Sequence, residues 1–445
     1  MNRKEFFTRT AALTLGLLSV PQLLAKQNKS TNNLISDINN IIDLPEGFSY
    51  EIISEENDIM DDGLIVPHSA DGMACFPGDG DTVILVRNHE IGHVPNIENF
   101  LKANPYGDFF KDYLITNSDN FYDRKDNKTQ CFGGTTSIVY NLLTDKVEKQ
   151  YLSLCGTLVN CSGGATPWGT WITCEETTKS KGVGVYKNHG YAFEVSPSNK
   201  IKLTKARPIV KMGRFRREAV AFDLDQGDVY QTEDRTHGLF YKFIPQNKQE
   251  LLQGGKLQAL SIKDFEGENC SNWGDDLFVK NKKYKVKWIE LDNVESPDDT
   301  LRFEGQKKGC VTFTRGEGVF YNDKCIYFTS TNGGKNRTGQ IWKYNIESMT
   351  IELFFESENK NQLNMPDNII MAPWGDIIVC EDGKGKDRLV GIRNDGSTYY
   401  IASNAFNNSE FAGATFSPNG DILFVNIYSP SMTIAIKGPW HQLYS

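Results

Sequence analysis

Cys161 and Asp367 stand at the same position of a repeated sequence pattern, and a thiol and a carboxylate are both side chains that bind metal ions. Each lies six residues before a proline, Pro167 or Pro373, and the pair Trp-Gly follows both prolines. A glutamate stands six residues after each of those glycines. The repeat therefore places polar residues that can do chemistry at fixed positions.

Further copies of the pattern carry more acids. Glu218 and Glu317 stand at the position that corresponds to Cys161. With another copy that begins near residue 412 and a looser copy that begins near residue 75, the chain contains six candidate units. Most spacings between consecutive units are about 45 to 57 residues, which is the range of propeller blades, and the longer gaps hold inserted segments.

Each unit has the pattern of a β-hairpin: a short apolar strand, a turn with Gly, Asn or Asp, and a β-branched strand. Strand-like segments such as residues 339–344 lie between units and would complete four-stranded sheets. Radial repetition of such sheets leaves few unprotected edges, so the sequence predicts an all-β fold, a six-bladed β-propeller with inserted loops. We expect this propeller to form a single catalytic domain over residues 40–445.

The composition limits the kinds of partner. The chain of 445 residues has a formal net charge of −9 and an isoelectric point near 5.4, which disfavours a nucleic-acid partner because such proteins need a basic face. Its nine cysteines show no framework of the kind that small disulfide-rich domains use, and their odd number leaves at least one thiol unpaired. We expect the protein to be a monomer whose partner is a small molecule and not a nucleic acid.

The amino terminus has the layout of an export signal. A polar and basic segment, residues 2–9, precedes an apolar run over residues 11–20, and Leu23-Leu24-Ala25 follows. The run is shorter than the roughly 20 residues that span a bilayer. The sequence predicts a signal over residues 1–25, read by the twin-arginine or the Sec machinery. The mature protein would then be periplasmic or secreted, with no membrane span.

The repeat and the predicted propeller together imply a ring of ligands. Equivalent residues of different blades lie side by side along the central channel, so Cys161, Glu218, Glu317 and Asp367 would meet there. Burying like charges together is very costly unless cations neutralise them, which predicts a metal cluster. The thiolate favours a softer transition metal, whereas the carboxylates favour calcium.

Some of the polar residues have an equally plain structural interpretation. Single acids at blade ends, such as Glu175, Asp234 and Asp382, can cap turns or contact a neighbouring blade. Arg315 stands two residues before Glu317, and its planar fork suits a phosphate or a carboxylate. An ion pair with a neighbouring acid is the alternative for Arg315, but the glycines beside it would let a ligand approach closely.

At these residues the chain resembles the PhoX family of bacterial alkaline phosphatases. The segments that carry the resemblance are residues 88–90, 133–136, 160–176, 213–223, 232–234, 315–318, 366–368 and 411–440. The resemblance runs from about residue 40 to the end. It implies export, a six-bladed propeller, and a cluster of ferric iron and calcium that hydrolyses phosphomonoesters, with some activity on diesters.

The resemblance also implies roles for particular residues. It places Cys161, Glu218 and Glu317 on iron and Arg315 on the phosphate, so that Arg315, Cys161 and Glu317 are the expected catalytic residues. Further acids are expected around calcium: Glu90, Glu175, Glu176, Asp234, Asp367, Glu381 and Asp382. The tail departs from the family pattern at residues 426–431, which bears on the range of substrates more than on the metal core.

The sequence therefore predicts an exported metal-dependent phosphatase that hydrolyses phosphomonoesters at an iron and calcium cluster in the propeller channel. It needs no serine nucleophile, and no G-x-S-x-G motif occurs. The alternative is a calcium-binding, lactonase-like propeller or a non-catalytic propeller that binds a ligand. Cys161 discriminates between the two, because a lone structural calcium has no use for a thiolate.

Overall fold

Short apolar segments separated by turns form 25 β-strands in the computed structural model, which describes residues 33–93, 104–126, 128–182 and 184–444. β-branched and other apolar residues dominate these segments, as expected for buried sheets. Three α-helices occur in the described residues: α1 (Phe110–Asn117), α2 (Leu301–Lys307) and α3 (His441–Tyr444). The export signal that we predict for residues 1–25 lies outside the described residues.

The strands are numbered here in chain order. They are β1 (Ile42–Asp43), β2 (Ser49–Glu55), β3 (Ala70–Pro77), β4 (Thr82–His89), β5 (Gly133–Asn141), β6 (Lys146–Thr157), β7 (Asn160–Ala165), β8 (Trp171–Glu175), β9 (Ala192–Val195), β10 (Arg217–Phe222), β11 (Val229–Glu233), β12 (Tyr241–Pro245), β13 (Gly255–Ile262), β14 (Lys283–Glu290), β15 (Gly316–Asn322), β16 (Cys325–Ser330), β17 (Gln340–Asn345), β18 (Thr350–Glu356), β19 (Pro366–Met371), β20 (Ile377–Glu381), β21 (Arg388–Ile392), β22 (Thr398–Asn404), β23 (Phe411–Phe416), β24 (Ile422–Ile427) and β25 (Met432–Lys437). Short 3₁₀ turns lie at Ser118–Asn120, Val210–Met212 and Leu251–Gln253.

The strands form antiparallel sheets in which most neighbours are consecutive in sequence. The orders are β3-β4-β5-β6, β7-β8-β9, β1-β22-β21-β20-β19, β2-β25-β24-β23, and β10-β11-β12-β13-β14-β18-β17-β16-β15. The last of these joins two meanders, because β14 pairs with both β13 and β18. In the sheet of β23, β24 and β25 the fourth strand is β2, which ties the start of the described chain to its end.

The first strand of each meander belongs to a closed inner ring. The six strands β3, β7, β10, β15, β19 and β23 contact one another in that order, and β23 contacts β3. They surround a cavity of about 290 Å³ lined by apolar residues such as Val220, Val319 and Ile369. The all-β prediction is confirmed and the arrangement is propeller-like. The described strands form five sheets instead of six separate ones, because β14 fuses two meanders.

Apolar side chains of neighbouring sheets pack together and hold the inner ring in place. Phe240, next to β12, stacks on Phe328 of β16 with ring centroids 4.2 Å apart, and both belong to one buried cluster with Trp342. Each large buried side chain contributes about 1.5–3 kcal/mol relative to exposure. The residues that the structure describes form one compact unit. None of the helices in the described segments has the length and apolarity needed to cross a membrane.

Candidate metal centre

Potential metal ligands occupy the second position of five of the six inner strands. They are Asp71 in β3, Cys161 in β7, Glu218 in β10, Glu317 in β15 and Asp367 in β19. In each of the six hairpins that these inner strands begin, the pairing register shifts within the first five residues of the inner strand. A β-bulge of this kind redirects a side chain, so the repeat sets both the position and the direction of each ligand.

These side chains form two adjoining groups of ligand atoms. One ligand atom from each of Cys161, Glu176 and Glu218 lies within 4.8 Å of the other two, and the same holds for Glu218, Glu317 and Asp367. Because Glu218 belongs to both groups, the five residues form one continuous set, which we call the acidic cluster. The structure therefore brings together the four residues that the repeat singled out, and it adds Glu176.

Further acids stand at a second repeated position, directly after the second strand of a hairpin. They are Glu90, Glu176, Asp234 and Asp382. Arg315 contacts two of them: its Nε lies 3.2 Å from Asp234 Oδ1, and its Nη2 lies 3.6 Å from Asp382 Oδ2. The same Nη2 lies 2.9 Å from Glu317 Oε1 in the acidic cluster. Arg315 therefore contacts both the acidic cluster and the acids that follow the second strands.

Arg315 is held in an uncommon backbone conformation. Its φ is 48°, in the left-handed region, which costs about 1–3 kcal/mol for such a residue and is found most often at functional sites. Its backbone N–H donates to the Arg235 carbonyl at 2.9 Å, and its own carbonyl accepts from Thr331 N–H at 3.0 Å. The Arg315 side chain is 29% exposed. Its guanidinium can therefore contact an anionic ligand from solvent as well as the neighbouring acids.

Two acids that the resemblance assigns to calcium point elsewhere. Both Glu175 oxygens are occupied, since Oε1 lies 2.6 Å from His189 Nδ1 and Oε2 accepts from the backbone N–H of Gly190 at 2.7 Å. Glu381 likewise binds Arg388, with Oε2 2.7 Å from Nε and Oε1 2.6 Å from Nη2. Successive side chains of a strand point to opposite faces, so the residue before a cluster-facing acid turns away from the cluster.

The sequence analysis missed three charged residues at this site. Asp71 is 7% exposed and stands at the position of Cys161, but the sequence pattern of the first unit becomes recognisable only near residue 75. Glu410 directly precedes β23, and Arg216 directly precedes β10 and contacts the Glu176 carboxylate. The signal for Asp71 was available, because extending the first unit by a few residues aligns Asp71-Gly72 with Glu317-Gly318.

Burial and mutual repulsion act against ionisation of the acidic cluster. Burial raises the pKa of Glu218, and the charges of Glu317 and Asp367 raise it further. Burial also raises the pKa of the Cys161 thiol, followed by the charge of Glu218. Cations would remove this conflict, and the donor set of one thiol and several carboxylates fits a transition metal together with a hard ion such as calcium.

The metal-free protein is expected to lose stability as the pH rises. Burial, then Asp234, raise the pKa of Glu176 from 4.5 to about 8, and burial, then Asp382, raise the pKa of Asp367 from 3.8 to about 7. Between about pH 4 and pH 8 the folded state therefore holds protons that the unfolded state releases, so the free energy of unfolding falls across this range.

Thermal unfolding of metal-stripped protein at a series of pH values measures this loss. The metal-loaded protein is the control, and its Tm should change little over the same range, because bound cations compensate the charge of the acids. A stripped protein whose Tm stays constant or rises from pH 5 to pH 8 contradicts the expectation.

The propeller-like β fold places buried acids and a thiol at the start of its inner strands, and these are side chains that could hold metal ions. The sequence model of the alkaline phosphatase PhoX family matches residues 30–431, which is most of the chain. The chain belongs to this family, and it is a phosphoric ester hydrolase of the alkaline phosphatase type. The family resemblance in the sequence is confirmed.

Two solved structures that are similar to the chain illustrate different degrees of likeness. PhoX of Pseudomonas fluorescens, in complex with the transition state analogue vanadate, is similar with a TM-score of 0.63 and 17% identity, over 90% of this chain and 96% of that one. A gluconolactonase of Xanthomonas campestris has a TM-score of 0.45 and 9% identity, over 87% of this chain and 98% of that one. No curated protein matches the sequence. The first similarity supports the propeller-like arrangement.

Proposed function

We propose that the chain is an exported, metal-dependent phosphatase that hydrolyses phosphomonoesters, and some diesters, with iron and calcium bound at the acidic cluster. The observation that carries this proposal is the donor set. One thiol and four carboxylates lie in two adjoining groups, with the Arg315 guanidinium 2.9 Å from one of the carboxylates. A thiolate suits iron, and the surplus of carboxylates suits calcium.

The family resemblance suggests a division of the ligands. Cys161, Glu218 and Glu317 are the proposed iron ligands. In support, Cys161 and Glu218 share one group of ligand atoms, and Glu218 and Glu317 share the other. The acids proposed around calcium are Asp71, Glu90, Glu176, Asp234, Asp367, Asp382 and Glu410. Glu175 and Glu381 are left out of this set, because hydrogen bonds outside the cluster already occupy their carboxylates.

The protein's own residues would bind and orient the ester. When bound, the metal ions would supply positive charge that neutralises the phosphate and activates a water molecule as the nucleophile. The Arg315 fork would hold two phosphoryl oxygens and stabilise their charge during transfer. Its present partners, Asp234, Glu317 and Asp382, are themselves proposed ligands, so cation binding would release the fork for the substrate.

We also infer that the ring counts as a six-bladed propeller. Each of the six inner strands begins its own antiparallel hairpin, and β14 is an added strand that links two otherwise separate meanders. Export by the twin-arginine or the Sec machinery, a periplasmic or secreted location, and a monomeric state remain part of the proposal. Export and the location rest on the sequence of residues 1–25.

Metal content and activity test the proposed function together. The protein as isolated is expected to contain iron and calcium and to hydrolyse a generic aryl phosphate best above neutral pH. Chelating the calcium is expected to abolish turnover, and adding calcium back should restore it, since the ions carry charge stabilisation worth several kcal/mol. Elemental analysis and a chromogenic phosphatase assay provide the two measurements.

Two results would contradict this proposal. Full activity in a protein that holds zinc but no iron would refute the mixed cluster. Calcium without iron, combined with no turnover of any phosphate ester, would favour the lactonase-like or ligand-binding alternative.

A further inference from the structure

A second group of metal-binding side chains lies outside the acidic cluster. It consists of Asp123, Cys131 and His189, and one ligand atom from each lies within 4.8 Å of the other two. Asp123 and Cys131 lie in the segment between β4 and β5, whereas His189 lies in the segment between β8 and β9. The group therefore joins loops that belong to two different sheets. All three residues are fully buried.

The Asp123 carboxylate has one anchored oxygen and one orphan oxygen. Oδ2 accepts backbone N–H groups from Tyr186 and Lys187, each at 2.8 Å, which fixes the orientation of the carboxylate. Oδ1 is buried and has no hydrogen-bond partner among the described residues. A buried carboxylate oxygen without a partner is costly, so its presence indicates a missing cation or donor.

His189 is oriented as histidine ligands of metal ions usually are. Its Nδ1 lies 2.6 Å from Glu175 Oε1, which leaves Nε2 directed at Asp123 and Cys131. A carboxylate on the distal nitrogen fixes the tautomer and the ring orientation of a metal-ligating histidine. Glu175, which lies outside the acidic cluster, would therefore orient His189 for metal binding.

The separations suit an ion placed among the three donors. His189 Nε2 lies 3.7 Å from Cys131 Sγ and 3.1 Å from Asp123 Oδ2. Tetrahedral zinc with ordinary bond lengths would place a nitrogen about 3.6 Å from a sulfur and about 3.3 Å from an oxygen. The nitrogen–sulfur separation is long for a strong direct hydrogen bond.

We propose that Asp123, Cys131 and His189 bind a structural zinc ion, distinct from the iron and calcium of the proposed function. Sulfur, nitrogen and oxygen donors together suit zinc, whereas calcium requires six to eight oxygens. A water molecule or the second Asp123 oxygen would complete the tetrahedron. Binding releases the proton of the Cys131 thiol and the proton of His189 Nε2, so the ion replaces two protons.

The metal content of the full-length protein tests this site. Protein produced with zinc in the medium and dialysed without chelator is expected to retain about one zinc ion per chain. The zinc content of Cys131→Ser is expected to fall to about one tenth of the wild-type value or less. Its iron and calcium contents should stay as in the wild type. Elemental analysis of the purified proteins gives all three contents.

Two further variants separate this site from the acidic cluster. Cys161→Ser should lose iron but keep the zinc. The zinc result does not depend on the iron site, so it stands even if the proposed function fails. Cys310→Ser removes another buried thiol that belongs to neither group, and it should keep every metal.

Cobalt provides a readout that does not depend on the folding of Cys131→Ser. Cys161→Ser protein, stripped and titrated with cobalt, is expected to show a thiolate-to-cobalt absorption band. The proposal is overturned if wild-type protein holds no zinc, if the cobalt band is absent, or if folded Cys131→Ser keeps its zinc. The group would then be a buried ion pair of protonated His189 with Asp123 and Glu175.

Discussion

Cys161→Ser is expected to abolish the proposed iron binding and to lower kcat by about 100-fold or more, because bound metal ions would contribute several kcal/mol of transition-state stabilisation. The thiol lies in the acidic cluster, with a ligand atom within 4.8 Å of those of Glu176 and Glu218. The visible thiolate-to-iron absorption should disappear with the iron. Serine is nearly isosteric, so the variant should stay folded, which circular dichroism and thermal unfolding can check.

Cys174→Ser is the matched control for this variant. Cys174 is buried in the strand β8 that pairs with β7, and it packs in the same apolar cluster as Cys161, but it belongs to no group of ligand atoms in the described residues. Its replacement should leave colour and turnover intact. If Cys161→Ser keeps iron, colour and turnover, the thiol is a packing residue and the argument from the repeat to the metal centre fails.

Arg315→Lys is expected to keep its metal content and to lose roughly 100-fold to 1,000-fold in kcat, the usual effect of removing one contact to a developing negative charge. Lysine retains the positive charge but cannot reproduce the two-pronged grip of a guanidinium. The Arg315 fork already spans Asp234 and Glu317, with separations of 3.2 and 2.9 Å. Steady-state kinetics with an aryl phosphate and elemental analysis measure the two quantities.

Arg388→Lys is the matched control for Arg315→Lys, because it tests whether losing a guanidinium fork elsewhere also lowers turnover. Arg388 also grips a carboxylate with its fork, that of Glu381, but it lies outside the acidic cluster. This control should lower the Tm through the loss of buried hydrogen bonds and leave kcat near the wild-type value. Near wild-type turnover in Arg315→Lys would show that Arg315 is structural.

The repeat allowed the grouping of four side chains to be predicted without coordinates. Cys161, Glu218, Glu317 and Asp367 were singled out because they share one position of the pattern, and the structure places them at the second residue of consecutive inner strands. These side chains lie close together because radial packing brings equivalent residues of different sheets together. Asp71 was missed at the same position, because its unit has a weaker pattern at its start.

Adjacent acids could not be told apart by sequence. Glu175 and Glu176 are chemically alike and consecutive, yet Glu176 joins the acidic cluster while Glu175 orients His189. The pair Glu381-Asp382 divides in the same way, with Glu381 on Arg388 and Asp382 near Arg315. Alternation along a strand guarantees that such neighbours separate, but only the register and its bulges decide which one faces the ligands.

Local pattern was sufficient for the all-β fold and for the repeat position that Cys161 shares with the acids, because turn residues, apolar alternation and repeat spacing are properties of short segments. The family was indicated separately, by the resemblance of motifs such as residues 160–176. Three-dimensional packing alone settled the rest. It fused two meanders through β14, and it directed Arg315 between Asp234 and Glu317. It also assembled Asp123, Cys131 and His189 from segments up to 66 residues apart. Contacts between distant segments depend on how whole sheets dock, which no local pattern encodes.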